Sequence, residues 1–150
     1  MYVHGRLSGR VLATGTLLFL LTATTLPAQR TPVDLTGDWS YRKGGYTFTL
    51  KLVQRGDSLI GAHCAVTHNA TRVDCAYVEE GSAQPVSLAG SIRNGTARVR
   101  FTSSYSNASG EARIVVRGRK IEWRIIQGSV SEGEYYLPMK ATLTRAARGH

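Results

Sequence analysis

Two cysteines, Cys64 and Cys75, enclose a stretch whose side chains could do chemistry, with His63, His68 and Asp74 beside or between them. Three chemistries need weighing: a disulfide, a metal site and an activated nucleophile. An even cysteine pair in an exported chain reads first as a disulfide. Closing a loop of this size stabilises by roughly 3 kcal/mol through the lost freedom of the unfolded chain. The two histidines and two thiols fit no zinc spacing, so no metal is expected. Asp74 stands two residues from Arg72 and is expected to pair with it across a turn. Serine and threonine are plentiful, but none has a histidine and an aspartate at a spacing that would activate it. His4 and His150 lie at the chain ends. No catalytic residue, no cofactor and no enzymatic activity are therefore expected.

The elements that would position these residues start after an export leader. Arg6 and Arg10 precede an apolar run from Val11 to Leu21, and Leu26-Pro27-Ala28 ends on a small residue. That is the pattern of a signal peptide over residues 1–28, with cleavage before Gln29, and the run is short for a membrane span. A secreted or periplasmic location follows. Residues 29–145 are expected to form one β-barrel domain and 146–150 a flexible basic tail.

Past Pro32, which blocks regular structure, and Asp34, which can cap a turn, the chain alternates with period two. Tyr46, Phe48, Leu50 and Leu52 share one face; Thr47, Thr49 and Lys51 share the other. Further strands are predicted at about 37–42, 58–66 and 72–78, then around Leu88, Val99, Ile114 and Trp123. The last strand places Tyr135, Leu137, Met139, Ala141 and Leu143 inward, with Pro138 on the other face. Val86, Leu88, Gly90 and Ile92 are likewise expected inward. Asn94-Gly95 is a type I′ hairpin signal. Asn69, Asn94 and Asn107 precede Ser or Thr at glycan-acceptor spacing and are read as turn residues. Placing Cys64 opposite Cys75 puts Val66 opposite Val73 and Ala62 opposite Tyr77. That register suggests a disulfide on an inward apolar face, with His63 on the outer polar one.

The fold class predicted is all-β: an antiparallel up-and-down meander closing into a small barrel of about eight strands with one internal disulfide. Nine candidate strands are too many by one. A meander closes antiparallel only with an even number, so one segment, either 72–78 or part of the last strand, should be irregular or outside the barrel.

Alternating the connections between two ends gives a tight end with 43–45, 68–71, 94–95 and 118–119, and a long-loop end with 55–57, 78–85, 103–109 and 128–133. Binding barrels use the end framed by longer loops. The candidate mouth residues are Glu79, Glu80, Tyr105, Asn107 and Glu132, which with Asp57 and Glu134 suggest an acidic mouth. Arg42, Lys43, Arg72, Arg93, Arg117, Arg119 and Lys120 then make the opposite end basic. The net charge is +9. Outward Arg98, Arg100, Arg113, Arg117 and Arg124 form a candidate basic stripe, able to meet a peripheral anionic surface or polyanion. Glu111 and Glu122 interrupt it, and no outward aromatics interleave for base stacking, so no nucleic acid is expected.

Gly37-Asp38-Trp39 on the first strand and Leu143-Thr144-Arg145 on the last resemble the calycins, the small barrels that include lipocalins and avidins. The resemblance implies that Trp39 plugs the closed end and Arg145 covers it. The Leu35-Thr36-Gly37 start is more avidin-like, but the tryptophans of a biotin pocket are absent. Strand alternation places Trp39 at the long-loop end, against this analogy, so either the alternation or the analogy must yield. The Gly-x-Trp start with one disulfide is also similar to secreted metalloprotease inhibitors, which act through an N-terminal segment, here residues 29–35. The expected function is an exported barrel that binds a small apolar or amphipathic molecule inside, behind its long loops. The alternative is a module that binds an extracytoplasmic protein or protease through its loops or N-terminal segment.

Overall fold

The computed structural model describes residues 1, 34–67, 70–76, 86–128 and 134–146. The leader, residues 29–33, the His68-Asn69 turn, Tyr77, Glu79, Glu80, Glu132 and the tail beyond 146 lie outside the described residues. Nine strands follow in order: β1 (Gly37–Lys43), β2 (Tyr46–Arg55), β3 (Ser58–Thr67), β4 (Arg72–Cys75), β5 (Leu88–Arg93), β6 (Thr96–Thr102), β7 (Ser109–Arg117), β8 (Lys120–Gln127) and β9 (Lys140–Arg145). All pair antiparallel, and β1 closes on β9 through Trp39↔Arg145 and Ser40↔Thr144. The result is an eight-strand barrel with β4 as an extra strand.

The odd strand has a simple explanation. The first half of β3 pairs with β5, from Ser58↔Ser91 to Gly61↔Leu88, and its second half pairs with β4, from Cys64↔Cys75 to Thr67↔Arg72. Both β4 and β5 run the same way along the same side of β3. They are two pieces of one column, interrupted between Cys75 and Leu88, so the barrel has an even number of columns.

This interruption shifts the alternation by one strand for everything before it. The turns at 56–57, 94–95 and 118–119 lie at one end with Leu35 and Arg145, and residues 44–45, 70–71, 103–108 and 134–139 lie at the other. Trp39 therefore sits at the closed, tight-turn end. Arg42, Lys43 and Arg72 move to the open end and Asp57 to the closed one. The expected acidic mouth and basic closed end hold in part: Arg93, Arg117, Arg119 and Lys120 stay at the closed end and Glu134 at the open one, and the exchanges arise because β4 stops halfway along the barrel.

At the closed end Leu35 is buried and Trp39 is 3 % exposed. The Trp39 indole donates to the Leu35 carbonyl at 3.0 Å, and the Arg145 guanidinium carbon lies 4.5 Å from the Trp39 ring centre. Arg145 also donates to the carbonyls of Thr36 and Asp34. The Thr36 amide donates to Asp34 at 2.8 Å, closing the lead-in turn and holding that carboxyl below its usual range. Gly37 has φ of 134°, and a β-carbon there would stand 2.6 Å from the Arg145 guanidinium.

Inside, Phe48, Leu59, Ala65, Ala97, Phe101, Ala112, Ile114, Ile121, Trp123 and Leu143 have no accessible surface. A hollow wide enough for one water would leave its lining accessible, so the lumen is filled where these residues meet. Trp123 stands at the centre, its ring 5.4 Å from Phe48 and 6.1 Å from Phe101. The cavity expected inside, behind the long loops, is taken up by these aromatic rings. Trp123 Nε1 donates to the Pro138 carbonyl at 2.8 Å, so this tryptophan is a satisfied core residue.

Three face assignments change. Cys64 and Cys75 are bonded in the expected register, but β3 turns Leu59, His63 and Ala65 inward and leaves Cys64 on the outer wall. Val86 and Met139 are 57 % and 61 % exposed, because β5 starts only at Leu88 and β9 only at Lys140. Asn94 and Gly95 have φ of 51° and 74°, the two positive values that a type I′ turn needs.

Gly37→Ala should destabilise the protein by about 1–2 kcal/mol, from backbone strain and displacement of Arg145. In a denaturant double-mutant cycle with Arg145→Ala the two losses should be less than additive.

Candidate functional site at the open end

β4 is short, yet it carries Asp74 to a fully buried position facing the barrel interior. The expected pair with Arg72 does not form; Arg72 is exposed and lies over the Tyr136 ring, 5.2 Å from its centre. Asp74 instead accepts four hydrogen bonds. Oδ1 takes His63 Nε2 at 3.1 Å and the Ser104 amide at 2.8 Å; Oδ2 takes the Ser103 hydroxyl at 2.7 Å and the Tyr136 amide at 3.2 Å. Burial pushes this carboxyl up, but the hydrogen bonds from His63, Ser103 and the Tyr136 amide outweigh it and hold it down to about 2.

His63, expected on the surface, is 1 % exposed and links Asp74 to Ser87. Ser87 Oγ accepts the His63 backbone amide at 3.0 Å and stands 2.7 Å from Nδ1. Since a carboxylate only accepts, Nε2 carries the proton toward Asp74, and in the neutral ring Nδ1 accepts from the Ser87 hydroxyl. A serine, a histidine and an aspartate thus do come together, although their spacing in sequence gave no sign of it. Their hydrogen bonds are spent on one another and on the backbone, and the histidine and aspartate are sealed from solvent. The arrangement is a latch that ties β3, β4, the 103–108 loop and the segment before β9 together.

The rim above this latch is rich in tyrosine. Every described tyrosine, Tyr41, Tyr46, Tyr105, Tyr135 and Tyr136, lies at the open end. Tyr46 donates to the Tyr136 carbonyl at 2.8 Å, and burial raises its phenol well beyond the usual range, with Asp74 and Tyr41 adding to the effect. Tyr105 and Tyr136 meet edge to face, ring centres 4.7 Å apart, and Tyr135 meets Phe101 at 5.2 Å. Tyr105 is 56 % exposed. Of the mouth residues expected from sequence, Tyr105 and Asn107 are at this end, Asn107 with φ of 61° in a loop closed by Ser103 and Ala108. A cleft of about 310 Å³ beside the latch is lined by Val86, Ser87, Thr102, Ser103, Ser104 and Asn107, among others. On the outer wall a second groove of about 260 Å³ includes Asp38, Thr49, Lys51, Ala62 and Cys64 in its lining.

Sequence reasoning missed Asp74, His63, Ser87 and Ser103 as one cluster. The signal was present in the cysteine register itself. Residues one step from a cross-strand disulfide share its opposite face, so an outward Cys64–Cys75 pair forces His63 and Asp74 inward together.

The molecule is a closed up-and-down barrel, the architecture of calycins in general. No family model and no curated protein matches the sequence. Among solved structures, a mutant of the fluorescent protein UnaG is similar at 12 % identity, with a TM-score of 0.40 over 76 % of this chain and 97 % of that one.

Replacing Asp74 by Asn should cost about 2 kcal/mol at neutral pH, the scale of hydrogen bonds to a charged group. The folded carboxyl is depressed relative to about 3.9 in an unfolded chain, so its contribution is complete above pH 4 and disappears as pH falls through about 2. Urea unfolding across that range should show wild type and variant converging at the acid end.

Proposed function

We propose that this chain is an exported binding barrel that takes a small amphipathic ligand at its tyrosine-lined rim, with the filled lumen as a rigid support. The observation that carries this reading is the gathering of Tyr41, Tyr46, Tyr105, Tyr135 and Tyr136 at one end of the barrel, with Arg72 over Tyr136. Tyrosine offers a flat apolar face and a polar tip at little cost in side-chain freedom, which suits a contact surface. Arg72, with Arg42 and Lys43 at the same end, favours a ligand with an aromatic or apolar body and an anionic group. The latch beneath fixes the rim from below, since Ser104 and Tyr136 both hang on Asp74.

A protein partner is a second reading, favoured by the exposure of Met139 and Tyr105 at the same rim. Action through an N-terminal segment would use the other end of the barrel, where Leu35 is anchored by the Gln54 side chain and the Trp39 indole.

Anilinonaphthalene sulfonate, an anionic aromatic dye, provides the test. It should bind wild-type protein at one saturable site, and Tyr136→Ala or Arg72→Ala should weaken it about tenfold, while Arg113→Ala on the outer wall leaves it unchanged. Equal affinity in all four proteins would contradict the proposal. Native mass spectrometry of protein from its own host separates the two readings: a bound small mass supports the first and a second polypeptide the other.

A further inference from the structure

The strand register lines up cations that the sequence shows only as scattered arginines. Arg98 lies opposite Arg113, Arg113 opposite Arg124, and Arg124 opposite Lys140. All four are exposed on the outer wall, and none makes an ion pair among the described residues. Neighbouring strands are ~4.8 Å apart, so the four charges follow one another over about 14 Å. Like charges directly opposite one another on a sheet destabilise it. The two acidic residues of this wall do not relieve the row. Glu122 pairs with Arg117 at 3.5 Å, and Glu111 lies one step away, opposite Arg100. At the β5 end the row meets Ser91, opposite Arg98, and two clefts of about 370 and 300 Å³ open on this part of the wall, Arg98 lining both, one reaching Arg93 and the other reaching Arg100 and Glu111.

We propose that this row binds a linear acidic polysaccharide, whose carboxylates or sulfates follow Lys140, Arg124, Arg113 and Arg98 and end in the clefts beside Arg98. Shape decides between polyanions. The row crosses β6 to β9, half the strands of the closed ring, so it bends around the barrel. A flat bilayer touches a cylinder along a line and would reach only part of it, whereas a flexible chain can follow the curve. Single-stranded nucleic acid needs aromatic platforms for its bases. The neighbouring outward positions are Thr96, Val115, Glu122 and Thr142 on one side and Arg100, Glu111, Ile126 and Gln127 on the other, with no aromatic among them. The site is separate from the tyrosine rim.

Binding of heparin, polygalacturonate, single-stranded oligodeoxythymidylate and phosphatidylglycerol vesicles to the full chain should be measured across a salt series. The expected order has heparin or polygalacturonate tightest, with a logarithmic salt dependence. Arg113→Gln combined with Arg124→Gln should weaken glycan binding at least about tenfold and lower the salt slope by about two. Its unfolding midpoint should be unchanged or higher, because like charges are removed. Arg55→Gln with Arg119→Gln, the same loss of charge away from the row, should retain near-wild-type binding. Equal loss in both double variants would overturn the proposal in favour of net charge alone. Tighter binding to the oligonucleotide or the vesicles than to either glycan would overturn the choice of partner.

Discussion

One buried carboxylate organises the open half of this barrel. Asp74 draws its donors from β3, from the loop after β6 and from the segment before β9, parts of the chain distant in sequence. A charge taken out of water is tolerated only when its hydrogen-bonding capacity is met, and here each oxygen accepts two donors. Removing any one strand from the arrangement would leave that charge short. The same residue explains why β4 exists at all: four residues of strand suffice to deliver Asp74 inward and Cys75 to the disulfide, and the column then breaks off until Leu88.

That break in turn settles the geometry of the whole molecule. An up-and-down barrel must close with an even number of columns, and β4 with β5 supplies one column in two pieces. With the count restored, the tight turns at 56–57, 94–95 and 118–119 gather at the end plugged by Trp39 and Arg145, and the 103–108 loop and the segment before β9 lie at the end fastened by Asp74. The two ends are held by different physics. At the closed end a guanidinium lies over an indole and reaches backbone carbonyls. At the open end a carboxylate collects amides and hydroxyls. Between them Trp123, Phe48 and Phe101 fill the interior, and the small inward Ala65, Ala97 and Ala112 leave room for those rings.

Much of this was legible in the residue pattern because period-two alternation and turn chemistry are local. The strands from β2 through β8, the Asn94-Gly95 hairpin and the Cys64–Cys75 register follow from neighbours in sequence. The face of that register did not, because cysteine, alanine and valine suit either side of a sheet, and only burial of His63 and Asp74 distinguishes them. A histidine between small residues reads as polar and therefore outward, and it is inward only because Asp74 and Ser87 satisfy it. The ends were misassigned for a related reason. Whether a strand crosses the barrel or stops halfway depends on its partner, and nothing within residues 72–78 marks the stop. The row of cations was visible as residues but not as a line, since alignment across β6 to β9 depends on register and on the irregularity between Glu111 and Ala112.

The barrel core is filled by aromatic rings, and the function proposed for it lies at its surface. The latch supports a tyrosine rim and the outer wall carries a line of positive charge, while the lumen supplies rigidity. A crystal structure of the protein with anilinonaphthalene sulfonate tests this most directly. The dye should lie against Tyr105 and Tyr136, with the Trp123, Phe48 and Phe101 rings unmoved. A dye lodged between Trp123 and Phe48 in an opened lumen would contradict it.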